Sequence, residues 1–135
     1  MKYLLDTNIV SYFLRDASPA LTQRILDSTP DCLAMSIISA GELRYGLSKL
    51  ASSKRATELA HRLNALLTAI AVLPLPADAA PHYGNTRAQL EAAGTPIGGN
   101  DLWIAAHALA KNMTLVTHKT REFEQVPGLL LDNWL

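Results

Sequence analysis

The chain has a single cysteine, Cys32, so no disulfide can form within it. Cys32 sits in an apolar stretch, where a thiol reads as a small core residue rather than a nucleophile, and a reducing cytoplasm suits it. Long apolar runs are missing too. The longest, around Leu66 to Leu75, is broken by Thr68 and stopped by Pro74. That is far short of the roughly 20 residues needed to span a bilayer. The opening Met1-Lys2-Tyr3-Leu4-Leu5-Asp6 offers two leucines before a charge and no apolar h-region. A soluble, cytoplasmic protein with no membrane partner is therefore expected. Net charge is absent as well: 12 basic residues balance 12 acidic ones, so the whole chain lacks the basic footprint of many nucleic-acid binders. One local imbalance stands out. Arg44, Lys49, Lys54, Arg55 and Arg62 face only Glu58 in the same span, which reads as a solvated helical face or as a phosphate-contacting rim.

What is present is a core. Hydrophobic residues make up 49% and charged residues 18%, which excludes a disordered class. With 135 residues, the chain has the size of one domain, spanning 1–135, and can bury about two thirds of its unfolded surface.

Apolar segments alternate in kind along the chain. Lys2 to Leu5 reads as a short buried strand, Ile9 to Leu14 as a helical turn or two, and Pro19 to about Ser28 as a helix capped by Ser18. Cys32 to Ile38 is a second strand. Ser39, with Glu42 three residues on, fits a capping box for the next helix, whose apolar stripe is Leu43, Leu47 and Leu50. Further helices are expected over Ser53–Thr68, from Asp78 to near Ala93 with Gly94 as the stop, and over Asn100–Asn112. Strands are expected over Ile70–Leu75, Thr114–Thr117 and Leu129–Leu131. Strands alternating with helices predict an α/β fold with a parallel sheet covered on both faces. Ligands of such sheets bind beyond the carboxyl ends of the strands, where strand order reverses.

Acids gather at those positions. Asp6, with Thr7 and Asn8, follows the first strand; Glu42 lies near the start of the helix after the second. Asp101 opens the helix after Gly98-Gly99-Asn100; Thr117, His118, Lys119 and Glu122 follow the fourth strand. Each alone has an ordinary explanation, since Asp6 and Glu42 suit helix caps and Asp101 suits a helix dipole. Together they predict convergent carboxylates, which repel one another unless a cation neutralises them. Hard oxygen donors without cysteine select Mg²⁺, with Mn²⁺ as a substitute. A metal held there would make bound water more acidic and screen charge on a phosphate, which points to phosphodiester hydrolysis.

Four segments carry a family resemblance. Leu4-Leu5-Asp6-Thr7-Asn8, then Ser36 to Gly46 with Glu42-Leu43 and Tyr45-Gly46, then Pro96-Ile97-Gly98 with Asp101 and Ile104-Ala105-Ala106-His107-Ala108, then Leu115-Val116-Thr117 with Arg121-Glu122-Phe123, resemble the ordered motifs of PIN domains. The likeness runs almost end to end and is strongest toward VapC-type toxins of type II toxin–antitoxin pairs. It implies a three-layer PIN-like fold with a central parallel sheet of about five strands between helices. It also implies an Mg²⁺- or Mn²⁺-dependent endoribonuclease, a VapB-like antitoxin partner, and a homodimer within the toxin–antitoxin complex. Transfer RNA and messenger RNA are the candidate substrates, with 5′-phosphate and 3′-hydroxyl ends as products.

By the resemblance Asp6, Glu42 and Asp101 are the first three family acids: catalytic, with Asp6 and Asp101 as metal ligands and Glu42 binding the metal directly or through water. Thr7 and Asn8 orient Asp6 or meet substrate, and Thr117 bonds the acids or a phosphate. Many members of the family carry an acid two residues after the threonine of the last motif, where this chain has Lys119. Either Glu122 supplies a fourth carboxylate or the site works with three, and Lys119 pairs with the acids or contacts phosphate. That departure keeps a catalytically degenerate RNA- or antitoxin-binding module as the alternative. A phosphoacceptor receiver domain fits poorly, because it needs an acid pair after the first strand and Asp6 stands alone. Outside the motifs, His118 reads as a surface histidine, His107 as packed, and Trp103 as core or interface rather than a base platform. The leucines from Leu43 to Leu67 suit either internal packing or an antitoxin.

Overall fold

The computed structural model describes residues 2–135. Five short strands, β1 (Tyr3–Leu5), β2 (Leu33–Ser36), β3 (Ala71–Leu73), β4 (Thr114–Val116) and β5 (Leu130–Asp132), form one sheet in the order β3-β2-β1-β4-β5. All four pairings are parallel. The helices are α1 (Thr7–Leu14), α2 (Pro19–Asp27), α3 (Ile37–Lys49), α4 (Lys54–Ala69), α5 (Ala79–Ala92), α6 (Gly99–Lys111) and α7 (Thr120–Phe123).

Side chains alternate across the sheet, and both faces are covered. Leu5, Leu33, Met35 and Val116 point into one core with Ile9, Leu21, Leu63 and Leu66. Leu4, Ala34 and Leu115 point into the other with Leu90, Leu102, Ile104 and Phe123. Adjacent residues of one strand thus serve opposite layers, the period-two geometry of a strand buried on both sides. No helix of the described residues is long and apolar enough to cross a membrane.

Several boundaries move for local reasons. The expected strand Cys32–Ile38 is shorter, because Ser36 accepts the Ile38 amide and caps α3. Ser39 is therefore not the cap; it lies buried inside the first turn of α3. Asp78 occupies the cap position of α5 without making a capping bond. The last strand is displaced by one residue, to Leu130–Asp132. A 3₁₀ turn at Pro30–Cys32 and the one-turn helix α7 carry too little periodicity to be seen in sequence. Ser18 and Ser53 cap α2 and α4 through their hydroxyls, and Gly94 ends α5 with φ +74°. The leucine stretch is mostly internal: Leu43, Leu63 and Leu66 are buried, and Leu47, Leu59 and Leu67 pack against them.

The central strand should carry far more stability than the edge. Leu5→Ala in β1 is expected to cost about 2–5 kcal/mol. Leu130→Ala in β5, at a side chain 59% exposed, should stay within about 0.5 kcal/mol. Urea denaturation of both variants measures the contrast.

Candidate active site

Strand order reverses between β1 and β4: the chain builds outward from β1 to β2 and β3, then returns to lay β4 on the other side of β1. The crevice beyond the carboxyl ends of these two strands is the expected ligand position of such a sheet. Asp6 follows β1 there and is 1% exposed. Its Oδ1 accepts the Thr7 amide at 2.8 Å, capping α1, and its Oδ2 accepts the Thr117 hydroxyl at 2.7 Å, from the end of β4. One carboxylate therefore ties β1, α1 and β4 together. Burial pushes its pKa up, the bonds from Thr117 and Thr7 oppose that, Asp101 adds repulsion and Lys119 relieves it.

Glu42 reaches the site from the second turn of α3. Thr7 Oγ1 donates to Glu42 Oε1 at 2.6 Å and lies 3.0 Å from Ser39 Oγ. Thr7 has one hydroxyl proton and spends it on the carboxylate; the Ser39 hydroxyl then points to Thr7. Ser39 is thus part of the site. Its signal in sequence was the three-residue spacing to Glu42, which puts both on one helix face.

Asp101 lies in the first turn of α6, and Lys119 Nζ stands 3.3 Å from its Oδ2. The Lys119 amide donates to Thr117 Oγ1 at 2.9 Å, so backbone and ammonium are both anchored here. Burial alone would lower the Lys119 pKa, but Asp101, Asp6 and Glu42 outweigh it and raise it. Asp6, Glu42, Asp101, Thr7, Thr117 and Lys119 therefore share one electrostatic neighbourhood. Asn8 lies at its edge, where its Oδ1 accepts the His118 amide at 3.4 Å. Glu122 does not join the group by hydrogen bond or ion pair: it is exposed on α7.

Among the described residues, no three His, Cys, Asp or Glu side chains close tightly enough to grip an ion by themselves. Mg²⁺ does not require that, since it keeps several waters and usually takes one or two carboxylates plus phosphate oxygens. An all-oxygen donor set around a buried carboxylate, with an ammonium already paired to Asp101, suits a hard divalent cation.

The remaining candidates have structural partners. Arg44 bonds Asn64, Arg62 bonds the Leu14 carbonyl at the end of α1, and Lys49 lies over the Tyr45 ring, so much of the basic run braces α3 and α4. Trp103 stacks on Tyr83 of α5 with ring centroids 3.9 Å apart. His107 is fully buried on α6, its Nδ1 3.0 Å from Ser36 Oγ. That bond joins the helix bearing Asp101 to the start of the helix bearing Glu42, a tie that sequence reading missed.

The PIN domain profile matches residues 3–129. The chain belongs to the PIN-domain family, in its VapC-type branch. It is 38% identical to ribonuclease VapC2 of Rickettsia felis over 135 residues, covering 99% of this chain and 98% of that one. It is 34% identical to the tRNA(fMet)-specific endonuclease VapC of Shigella flexneri, with 99% and 98% covered. Among solved structures, it superposes on the DNA-bound VapBC2 of Rickettsia felis with TM-score 0.86 at 36% identity, covering 100% of both chains. DNA-bound VapBC of Salmonella typhimurium gives TM-score 0.89 at 31% identity, with 100% and 99% covered. The five-stranded parallel PIN fold is thereby established end to end for this VapC-type domain.

Burial and the Lys111 charge lower the His107 pKa below its ordinary 6.5. Unfolding then takes up a proton at mildly acidic pH, so the stability this neutral ring contributes is complete above pH 6.5 and is lost as pH falls toward its folded-state value. Thermal melts from pH 7.5 down to pH 5 should show wild type losing more stability than His107→Gln, which cannot titrate. Parallel curves would contradict the assignment.

Proposed function

We propose that this VapC-type PIN domain is a metal-dependent endoribonuclease, the toxin of a type II toxin–antitoxin pair, with transfer RNA as the substrate class to test first. The observation that carries the reading is the linkage of Asp6, Glu42 and Asp101, from three separate elements, at the switch point of the sheet: Thr7 bonds both Asp6 and Glu42, and Lys119 pairs with Asp101 while its amide bonds the Thr117 hydroxyl that holds Asp6. The names of the relatives support it: ribonuclease in one case, tRNA(fMet)-specific endonuclease in another. The degenerate-module alternative would have Lys119 permanently in place of a metal; the intact three-acid set favours catalysis.

Asp6 and Asp101, with Glu42 beside them, would hold Mg²⁺ or Mn²⁺. Bound there, such an ion supplies charge neutralisation at the scissile phosphate and a more acidic water. The chain's own residues do the orienting. The Thr7 amide and the Thr117 hydroxyl fix both oxygens of Asp6, and the Thr7 hydroxyl fixes Glu42. Asn8 and Lys119, at the rim, meet the RNA backbone. Water adds to phosphorus in line with the departing 3′-oxygen, which leaves 5′-phosphate and 3′-hydroxyl ends. Glu122 is exposed on α7 and shares no hydrogen bond or ion pair with this network, so the reading gives it no part as a fourth acid and three carboxylates serve.

The antitoxin partner is proposed from the solved relatives, which are VapBC complexes. The docking face suited to it is the apolar groove of about 570 Å³ between α2 and α4, lined by Phe13, Ile25, Leu26 and Leu66. Leu26 is 68% exposed there, whereas the leucines of α3 and α4 are largely committed to the core. A homodimer inside that complex completes the reading, which is of a cytoplasmic protein.

Asp6→Asn and Asp101→Asn should each lower cleavage of purified transfer RNA by at least about a hundredfold while the circular dichroism spectrum stays native. EDTA should abolish wild-type cleavage and Mg²⁺ restore it. Activity undiminished in EDTA, or in either variant, would refute the assignment.

A further inference from the structure

Lys119 poses a problem that the proposed reaction does not absorb. A lysine stands where the acids converge, and it is held there twice over. Its amide donates to Thr117 Oγ1 at 2.9 Å, and that same hydroxyl donates to Asp6 Oδ2 at 2.7 Å. Its ammonium reaches back across the crevice to Asp101 Oδ2 at 3.3 Å. The Asp101 side chain is only 18% exposed and the Lys119 side chain 46%, so the acid is the sheltered partner and the lysine the movable one. Lysine suits such a post: a compact charge on a flexible stem, able to leave without rearranging the backbone that carries it.

We propose that Lys119 is a built-in counter-cation that neutralises Asp6, Glu42 and Asp101 in the metal-free protein and is displaced from Asp101 when a divalent ion binds. The inference rests on the metal-dependent reading above and deepens it. Two cations cannot share one sheltered carboxylate at contact distance without strong repulsion. Divalent binding therefore includes the work of parting Lys119 from Asp101, and Lys119 lowers the apparent metal affinity of the site. The same charge keeps the acids from splaying apart in the absence of metal. Removing it should therefore tighten metal binding and weaken the empty protein together. A lysine acting only as a phosphate contact would do neither.

The test uses the full chain and Mn²⁺ as the probe, by calorimetric titration without RNA. Lys119→Met should bind Mn²⁺ roughly tenfold more tightly than wild type. Lys119→Arg, which keeps the charge, should stay within about twofold of wild type. In EDTA, Lys119→Met should melt below wild type, and saturating Mg²⁺ should close the gap. Equal Mn²⁺ affinity in wild type and Lys119→Met, or weaker binding in the variant, overturns the exchange while leaving the nuclease reading intact. Absence of Mn²⁺ binding in all three proteins overturns both.

Discussion

Burying an ionised carboxylate is costly unless its oxygens are bonded and its charge is answered. The Asp6 side chain meets the first condition with its neighbour in sequence and one residue far along the chain. Thr7 answers one oxygen and Thr117 the other, 111 positions away in sequence. The same two bonds cap α1 and join the ends of β1 and β4, so the electrostatic requirement of one residue fixes the geometry of the crevice. What hydrogen bonds cannot supply is a positive charge, and Asp101 sharpens that need. Lys119 meets it at the rim. The proposed divalent ion would have to compete with that ammonium.

The scaffold explains why these groups meet. A parallel sheet buried on both faces leaves only its ends for chemistry. Strand order reversing beside β1 puts the expected ligand position of such a sheet at the ends of β1 and β4. Helices α3 and α6 run back from that end, so acids in their first two turns are carried to it. The buried His107–Ser36 contact then holds those two helices in register from beneath.

Much of this was legible in the residues. Short apolar runs ending in Asp6 and Thr117 gave the sheet and the two strand-end groups, because a buried strand must stop where polar side chains begin. The capping of α3 differs from the expected one because Ser39, with Glu42 three residues on, fits the capping-box spacing and Ser36 does not, and only the backbone reveals which hydroxyl takes the free amide. Glu122 looked like a fourth acid by proximity in sequence to Thr117. The turn of α7 instead leaves it exposed while burying Phe123 next to it. Lys119 was visible as a departure from the family pattern, yet its ion pair with Asp101 depends on how α6 meets β4, which spacing does not encode. The His107–Ser36 tie is a tertiary contact with no local signature at all.

The most direct measurement is a crystal structure of the protein soaked in Mn²⁺, with the ion located by its anomalous scattering. The account predicts a single strong peak in the crevice beyond β1 and β4, in contact with Asp6 and Asp101, and the Lys119 ammonium moved away from Asp101. A peak elsewhere, or a crevice in which Lys119 still sits on Asp101 at saturating Mn²⁺, would contradict it.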